Sequence, residues 1–251
     1  MVFNSFVFVV FFALVYGLYI VLRHRAQNVL LLVASYVFYG WWDWRFLSLV
    51  LASTVLDYVC GLRIVDDATR RRLWISLSMA GNLGLLFFFK YFNFFADSTA
   101  RALAFFGLEA DWTTLNIVLP VGISFYTFQT MSYTLDIYRR QLEPTTDVVD
   151  FVVFVTYFPQ LVAGPIERAK HLLGQVQRPG VIPYPMVREG AWLILFGYYK
   201  KVVLADNVAP FVNLAFGDPS SVHGLGVLVA IMAFAIQIYG CLLYTSPSPR
   251  D

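Results

Sequence analysis

The sequence carries little charge for its length. Of its 251 residues only 14% are charged, whereas 59% are hydrophobic and 18% are aromatic. A soluble domain of this size shows far more polar surface to water, so this composition excludes an ordinary water-soluble globular protein. The formal net charge is only +2 and the basic residues are scattered among apolar segments, so we expect no nucleic-acid partner. We expect instead a chain surrounded by membrane lipids.

Cysteines and catalytic motifs are equally scarce. The two cysteines, Cys60 in an apolar run and Cys241 near the end, give neither a disulfide framework nor a metal-binding spacing. The sequence contains no GxSxG, HExxH or glycine-rich phosphate loop. The three histidines, His24, His171 and His223, lie in basic or polar turns without an evident partner. We therefore predict no metal site and no catalytic residue within this sequence.

Six apolar windows approach the length of a membrane span. A helix needs about 20 residues to cross the roughly 30 Å hydrocarbon core of a bilayer. The first window has no basic residues before it and no small-residue cleavage site, so we interpret it as a retained span and not a signal peptide. The pattern predicts an all-α, polytopic helical membrane protein. The windows are residues 3–22, 28–42, 46–60, 73–95, 116–138 and 224–240.

The charges between these windows predict an orientation. Arg23 and Arg25 follow the first window and nothing basic precedes it, which indicates an N-terminus outside the membrane. The basic connection 63–72 then falls inside and the net acidic connection 97–111 falls outside. Arg139 and Arg140 return inside, so these loops agree with one topology as far as Arg140.

Beyond Arg140 two segments do not fit simple spans. Residues 148–163 are about one turn too short for a span, contain Pro159 and have basic residues on both sides. A re-entrant segment fits them better, since a broken helix is tolerated where it is buried in protein or lines a watery cavity. In residues 189–216, Lys200, Lys201 and Asp206 interrupt the apolar pattern, which favours an interfacial or cavity-lining position.

A polar stripe runs along the fifth window. Tyr126, Gln129, Tyr133 and Asp136 follow one another at steps of three, four and three residues, which places them on one helical face. Two interpretations stay open. The stripe lines a substrate cavity, or it hydrogen-bonds to neighbouring helices, as polar side chains commonly do in lipid.

The segment 157–171 is a second candidate site. It combines two prolines and a glycine with Gln160, Glu167 and Arg168. Proline removes an amide donor and interrupts the helix, so freed carbonyl groups could face a polar ligand. A simple bend that lets helices pack is the alternative.

The last eleven residues differ from the rest. Residues 241–251, CLLYTSPSPRD, change composition abruptly inside an apolar window, and a transposase-type sequencing-library adapter encodes them without mismatch. We expect 1–240 to be the N-terminal part of a membrane domain and 241–251 to be non-native. The alternative is a natural terminus rich in proline and serine.

Four stretches carry a family resemblance. They are SYVFYGWWDWRF at 35–46, LPVGISFYTFQTMSY at 119–133, FPQLVAGPIER at 158–168 and GYYKKVVLADNV at 197–208. In this order they resemble the membrane-bound O-acyltransferase (MBOAT) family, in the branch that O-acetylates alginate. The resemblance implies a ring of helices around a tunnel, incomplete here, in the bacterial inner membrane. It also implies a catalytic histidine located after Gly240, so none is assigned in this chain.

The resemblance further implies a function. An acetyl group would pass from a cytoplasmic donor, acetyl-CoA, across the membrane to a periplasmic acetyltransferase partner, which modifies an exported polysaccharide such as alginate. Basic residues of the inner face, among them Arg139, Arg140, Arg168 and Lys170, could attract the CoA phosphates, but the positive-inside bias alone produces the same charges and is the favoured explanation. A transporter, for which we find no internal repeat, and a non-catalytic scaffold are the alternatives. The 251-residue chain alone is expected to be inactive and unstable.

Overall fold

The fold is entirely helical in the part of the chain that can be described. The computed structural model describes residues 3, 5–105, 120, 122–161, 168–179, 182–217 and 223–243, and no strand occurs among them. The chain divides into two compact units. The first comprises Met1–Val162 and Ile166–Pro179, and the second comprises Ala163–Pro165 and Gly180–Asp251.

The first unit contains eight described helices. Two single turns of 3₁₀ helix, Trp44–Phe46 and Ala68–Arg70, connect the second helix to the third and the third to the fourth. The α-helices are α1 (Phe6–Val21), α2 (His24–Asp43), α3 (Leu47–Asp66), α4 (Arg71–Phe105), α5 (Ile123–Tyr138), α6 (Val148–Thr156), α7 (Phe158–Leu161) and α8 (Ala169–Val176).

Two segments are long and apolar enough to cross a bilayer. They are the continuous run His24–Asp66, with 43 residues, and Arg71–Phe105, with 35 residues. A core helix of a soluble protein is mostly buried, whereas only 17% of the apolar window in α4 is buried. Large apolar side chains such as Phe87, Phe94 and Leu73 are exposed along α4, and contiguous exposed apolar surface marks contact with lipid or with a partner. These features fit a helical membrane protein.

Five of the six predicted windows coincide with helices: α1, α2, α3, α4 and the helix Leu225–Leu243 of the second unit. The connection predicted at 97–111 is wrong at its start, because Asp97 and Arg101 lie in α4. Residues 100–103 read ARAL, all strong helix formers, so the helix continues to Phe105. The window 116–138 begins outside the described residues, and its visible helix, α5, begins at Ile123.

The core of the first unit surrounds α3 and α5. Helix α3 packs against α4 and α5, and α6 packs against α2, α3 and α8. A second apolar cluster joins α1 to α2 and α7, where the rings of Phe11 and Phe38 lie 5.4 Å and 5.6 Å from that of Phe158. The packing therefore fixes α5, which carries most of the predicted site residues, against its neighbours.

Among its described residues, the second unit contains three α-helices and a π-helix. They are α9 (Tyr184–Tyr199), the π-helical segment Lys200–Ala205, α10 (Asp206–Gly217) and α11 (Leu225–Leu243). A π-helix brings residues five apart together, and Lys201 Nζ lies 2.5 Å from Asp206 Oδ1. Gly240 of α11 lies against this segment so closely that an added Cβ would be 3.1 Å from the Lys200 carbonyl oxygen. The charges that interrupt the apolar pattern are thus partly paired.

Candidate functional site

The polar stripe of α5 is buried in the protein along most of its length. Tyr126, Gln129 and Tyr133 are 2%, 1% and 0% exposed, whereas Asp136 is half-buried near the end of the helix. Because α3, α4, α6 and α8 all pack against α5, the stripe contacts neighbouring helices. We call Tyr126, Gln129 and Tyr133 the buried face of α5.

Gln129 bonds to the place where the next helix breaks. Helix α6 ends at Thr156, and α7 begins after Tyr157 with Pro159 in its first turn. The Phe158 N–H donates to Ser35 Oγ at 3.2 Å instead of to Phe154 four residues earlier. The Phe154 carbonyl oxygen therefore lacks its helical donor, and Gln129 Nε2 donates to it at 2.7 Å. The backbone carbonyl of Phe154, which the helix break leaves without its helical donor, thus accepts a hydrogen bond from a side chain of the protein.

Tyr133 is held by its hydroxyl group and by a close approach to α3. Its Oη accepts a hydrogen bond from the Thr145 N–H at 3.1 Å, and its ring centroid lies 4.7 Å from that of Phe151. Gly61 faces this ring so closely that an added Cβ would lie 2.8 Å from Tyr133 Cε1. Only a residue without a side chain leaves the ring in this position, so Gly61 sets the distance between α3 and α5.

A buried carboxylate network joins α3 and α4. Asp57 is 0% exposed. It accepts hydrogen bonds from Ser78 Oγ at 2.5 Å and from Asn82 Nδ2 at 2.9 Å and 2.7 Å. Asn82 Oδ1 in turn accepts from Ser53 Oγ at 2.6 Å, and Thr134 Oγ1 of α5 lies 3.0 Å from Ser78 Oγ. We call these five residues the Asp57 network.

The Asp57 network satisfies its carboxylate with neutral donors. The Ser78 carbonyl oxygen lies 3.0 Å from Asn82 Nδ2, which orients the amide so that its N–H groups face the carboxylate. Within the described part of the chain, no Lys or Arg forms an ion pair with Asp57. A buried charge is tolerated only when hydrogen bonds compensate the loss of water, so the network is required wherever Asp57 is ionised.

The sequence analysis missed this network. Its signal was present, because an aspartate inside the apolar window 46–60 is costly in lipid unless it has partners. The partners Ser78 and Asn82 are at positions i and i+4 of another helix, which no local pattern connects to Asp57. Tertiary packing alone brings them together.

The remaining predicted residues occupy three different settings. Gln160 is buried in α7, which packs against α2. Arg168 is exposed at the start of α8. Glu167 lies outside the described residues. The structure therefore brings together the buried face of α5 and does not add Arg168 to it.

The connection between α5 and α6 is held by several hydrogen bonds. The Tyr58 hydroxyl donates to the Thr146 carbonyl oxygen at 2.8 Å, and Gln177 Nε2 donates to Thr145 Oγ1 at 3.1 Å. Asp147 accepts from the N–H groups of Val149 at 2.8 Å and Asp150 at 3.3 Å, which caps α6. The connection is thus fixed at its α6 end.

Asp147 also forms an ion pair with Arg25 of α2. Burial raises the pKa of the Asp147 carboxyl, but the bonds from Arg25 and from the two backbone N–H groups outweigh it and lower the pKa below its ordinary value. Further along α2, Asn28 Nδ2 donates to Asp150 Oδ1 at 2.8 Å. These contacts attach the start of α6 to the start of α2.

We assign no metal to the site, since no three His, Cys, Asp or Glu side chains lie close together in the described ranges. The hydroxyl, amide and carboxylate groups of the site are hydrogen-bonded to one another across helices. Such groups fix the positions of the helices relative to one another.

Comparison with known proteins shows relatives that match nearly the whole chain. It is 40% identical over 243 residues to a protein of Azotobacter vinelandii named "Probable alginate O-acetylase AlgI", covering 95% of this chain and 48% of that protein. The protein of the same name from Pseudomonas aeruginosa is 39% identical over 95% of this chain and 46% of its own length. The chain is thus related to these two proteins along nearly its whole length.

A more distant relative has a different name. A "Peptidoglycan O-acetyltransferase" of Helicobacter pylori is 30% identical over 256 residues, covering 88% of this chain and 47% of that protein. The chain thus spans about half the length of the curated relatives it matches. No protein-family model matches the chain. The resemblance inferred from the four stretches is confirmed by these relatives.

Proposed function

We propose that this chain is part of a membrane O-acetyltransferase that serves the O-acetylation of an exported polysaccharide. The observation that carries this proposal is the 40% identity over 95% of the chain to an alginate O-acetylase. The activity is proposed for the whole protein, because the matching region is about half of each relative.

Alginate, or a polymer like it, is the proposed acceptor. The identity to the Azotobacter alginate O-acetylase is 40%, against 30% to the peptidoglycan O-acetyltransferase. The higher value favours an alginate-type acceptor. Acetylated peptidoglycan in cells that carry the intact gene would favour the second relative instead.

The position of the basic loops supports an N-terminus in the periplasm. Arg25 pairs with Asp147, and Arg71 Nη2 donates to the Tyr138 carbonyl oxygen at 2.6 Å. The start of α2, the start of α4 and the end of α5 therefore lie near the connection that leads to α6. Basic loops remain on the cytoplasmic side, so this end of the first unit is proposed to face the cytoplasm.

A cysteine-accessibility experiment tests this topology. In spheroplasts, Arg70→Cys is expected to resist a membrane-impermeant maleimide, whereas Thr99→Cys near the other end of α4 is expected to react. The native Cys60 is buried and Cys241 is changed to Ser in both variants, which keeps the background low. The opposite labelling pattern would reverse the orientation.

The α6–α7 segment supports a re-entrant arrangement. Helix α6 has nine residues, about 14 Å of helix against a hydrocarbon core of roughly 30 Å. Phe151, Val153 and Phe154 on it are buried, and a broken helix inside a membrane needs such protection by protein. We propose that it enters from the cytoplasmic side and turns within the protein.

The donor, the partner and the tunnel complete the proposal. Acetyl-CoA is the proposed cytoplasmic donor, a periplasmic acetyltransferase is the proposed receiver, and the catalytic histidine is proposed to lie outside these 251 residues. The buried face of α5 is proposed to support the tunnel wall. Direct contact with the passing group is proposed for Asp136, Gln160, Glu167 and Arg168, which remain predictions.

A chimera tests the function. Residues 1–240 replace the matching half of the Azotobacter relative in a strain that lacks its own copy, and ester-linked acetyl groups are measured by NMR on the purified polymer. Restored acetylation is expected, and the 251-residue chain alone is expected to give none. A chimera that reaches the membrane in normal amount yet leaves the polymer unacetylated would contradict the proposal. Solute flux in that case would favour a transporter.

A further inference from the structure

A pocket opens beside the end of α5. Its volume is about 570 Å³, within the range of ligand pockets in proteins. The floor is apolar, and Ile64 and Ile137 on it are buried in the core. Arg71, Arg140 and Glu143 supply the charged groups of the rim. We call this space the Arg140 pocket.

Arg140 occupies a backbone conformation that favours glycine. Its φ is 61°, and within the described residues no other non-glycine has a positive φ. The Arg140 N–H donates to the Ile137 carbonyl oxygen at 2.9 Å and the Gln141 N–H to that of Asp136 at 2.9 Å. These two bonds define a Schellman motif, whose left-handed position is usually glycine because a Cβ is strained there. An arginine here costs stability that a glycine would not, which makes its side chain a candidate for a functional role.

Arg71 is oriented by the same end of α5. Its Nη2 donates to the Tyr138 carbonyl oxygen at 2.6 Å, and its guanidinium lies 5.1 Å from the centre of the Tyr138 ring. An arginine has five N–H donors in a planar fork, so most of them remain for a ligand. A guanidinium that is already fixed loses less entropy when it binds an anion.

The opposite wall of the pocket is ordered too. Leu142, Glu143 and Pro144 belong to the connection that Tyr58 and Tyr133 hold through Thr146 and Thr145. In the described part of the chain, neither Arg140 nor Glu143 forms an ion pair. Two guanidinium groups against one carboxylate leave the rim positive by one charge. A preformed, positively charged rim beside an apolar surface matches an anion that carries an apolar chain.

We propose that the Arg140 pocket binds the phosphate group of an amphiphilic phosphate ester, with Arg71 and Arg140 on the phosphate and the apolar floor under the attached chain. Planar guanidinium groups match phosphate oxygens with paired hydrogen bonds. A phospholipid headgroup and a soluble phosphate-bearing acyl carrier share this chemistry. The soluble-carrier outcome rests on the proposed function, in which acetyl-CoA is the donor, whereas the lipid outcome does not. Because the test measures binding, its failure does not depend on acetyl transfer.

The test compares two neighbouring arginines in the 251-residue chain, purified in a neutral detergent. Arg140→Gly relieves the backbone strain and removes the guanidinium, and Arg140→Gln removes only the guanidinium. Arg139→Gln is the matched control, because Arg139 is exposed and does not line the pocket. Native mass spectrometry measures binding of phosphatidylglycerol against diacylglycerol, and a thermal-shift titration measures binding of CoA and of inorganic phosphate.

The two Arg140 variants are expected to weaken phosphate-dependent binding by about tenfold or more, the effect of losing a charged hydrogen bond. Arg140→Gly is expected at the same time to unfold at an equal or higher temperature than the parent chain. Binding that persists in Arg140→Gly, or falls equally in Arg139→Gln, would overturn the proposal, as would no preference for phosphate over diacylglycerol. A response to phosphatidylglycerol alone identifies a lipid headgroup, and a response to CoA alone identifies a soluble carrier.

Discussion

Two aspartates in the first unit obtain hydrogen-bond partners for their carboxyl groups in opposite surroundings. Asp57 is buried between α3 and α4 and is bonded to neutral hydroxyl and amide donors. Asp147 lies at the protein surface and is bonded to a guanidinium and to backbone N–H groups. Water can replace any partner that Asp147 loses, whereas nothing replaces a partner of Asp57. The number of bonds is similar, but their energetic weight differs because of the surroundings.

Removal of Asp57 is expected to give the largest effect. Asp57→Ala leaves the Asn82 amide and the Ser78 hydroxyl buried without their acceptor, and each lost partner costs about 1–3 kcal/mol. We expect a loss of about 3 kcal/mol in the free energy of unfolding, measured by denaturant titration in detergent micelles. Asp66→Ala, an exposed aspartate on the same helix, is the control. Equal effects of the two changes would show that burial does not matter here.

A methyl group at Gly61 tests the packing that surrounds the Asp57 network. Gly61→Ala places a Cβ 2.8 Å from Tyr133 Cε1, so the ring must move and its bond to Thr145 weakens. Overpacking of this kind costs about 1–3 kcal/mol. Gly84→Ala on α4 is the control, because no atom lies within 4 Å of its new Cβ, and it is expected to be neutral or stabilising. The order of unfolding temperatures decides the comparison, and a Gly61 variant as stable as the Gly84 variant would contradict it.

Asp147 is expected to give the smallest effect, in two separable parts. Asp147→Ala removes the cap of α6 and costs about 1 kcal/mol. Asp147→Asn keeps a capping oxygen and removes only the charge that pairs with Arg25, which costs a few tenths of a kcal/mol, about the value of exposed ion pairs. Equal losses for the two variants would assign the whole effect to the charge.

The stabilisation that comes from the charge of Asp147 depends on pH. Because the pKa of Asp147 is lowered in the folded protein, its stabilisation is complete above the ordinary aspartate pKa of about 4 and is lost as the pH falls through the lowered value. The stability difference between the parent chain and Asp147→Asn is therefore expected to be constant near neutral pH and to shrink in acid. A difference that grows on acidification would contradict the assigned direction.

Local patterns in the sequence predicted the structural features that depend on residues close together along the chain. The apolar windows became helices, and the three-four-three spacing placed Tyr126, Gln129 and Tyr133 on one buried face of α5. The break near Pro159 is also visible in the structure. These features follow from periodicity and from the missing N–H of proline.

Features that depend on distant residues were not predicted. Asp57 and Asn82 are 25 positions apart, and the Arg140 pocket combines the ends of α3 and α5 with the start of α4. The left-handed backbone at Arg140 was not predicted for another reason. A glycine or asparagine is the residue that normally indicates this conformation in a sequence. From the sequence alone, an arginine at that position cannot be distinguished from any other basic residue in a loop.

The bond between Gln129 and Phe154 has a consequence for how rigid the α6–α7 bend is. To straighten the segment, the Phe158 N–H would have to return to the Phe154 carbonyl, which Gln129 occupies, and leave Ser35. Two side chains on different helices, α2 and α5, would then lose buried partners at once. The bend is therefore fixed from both sides by neighbours that compete with the straight helix for the same backbone groups, and proline is only one of its causes.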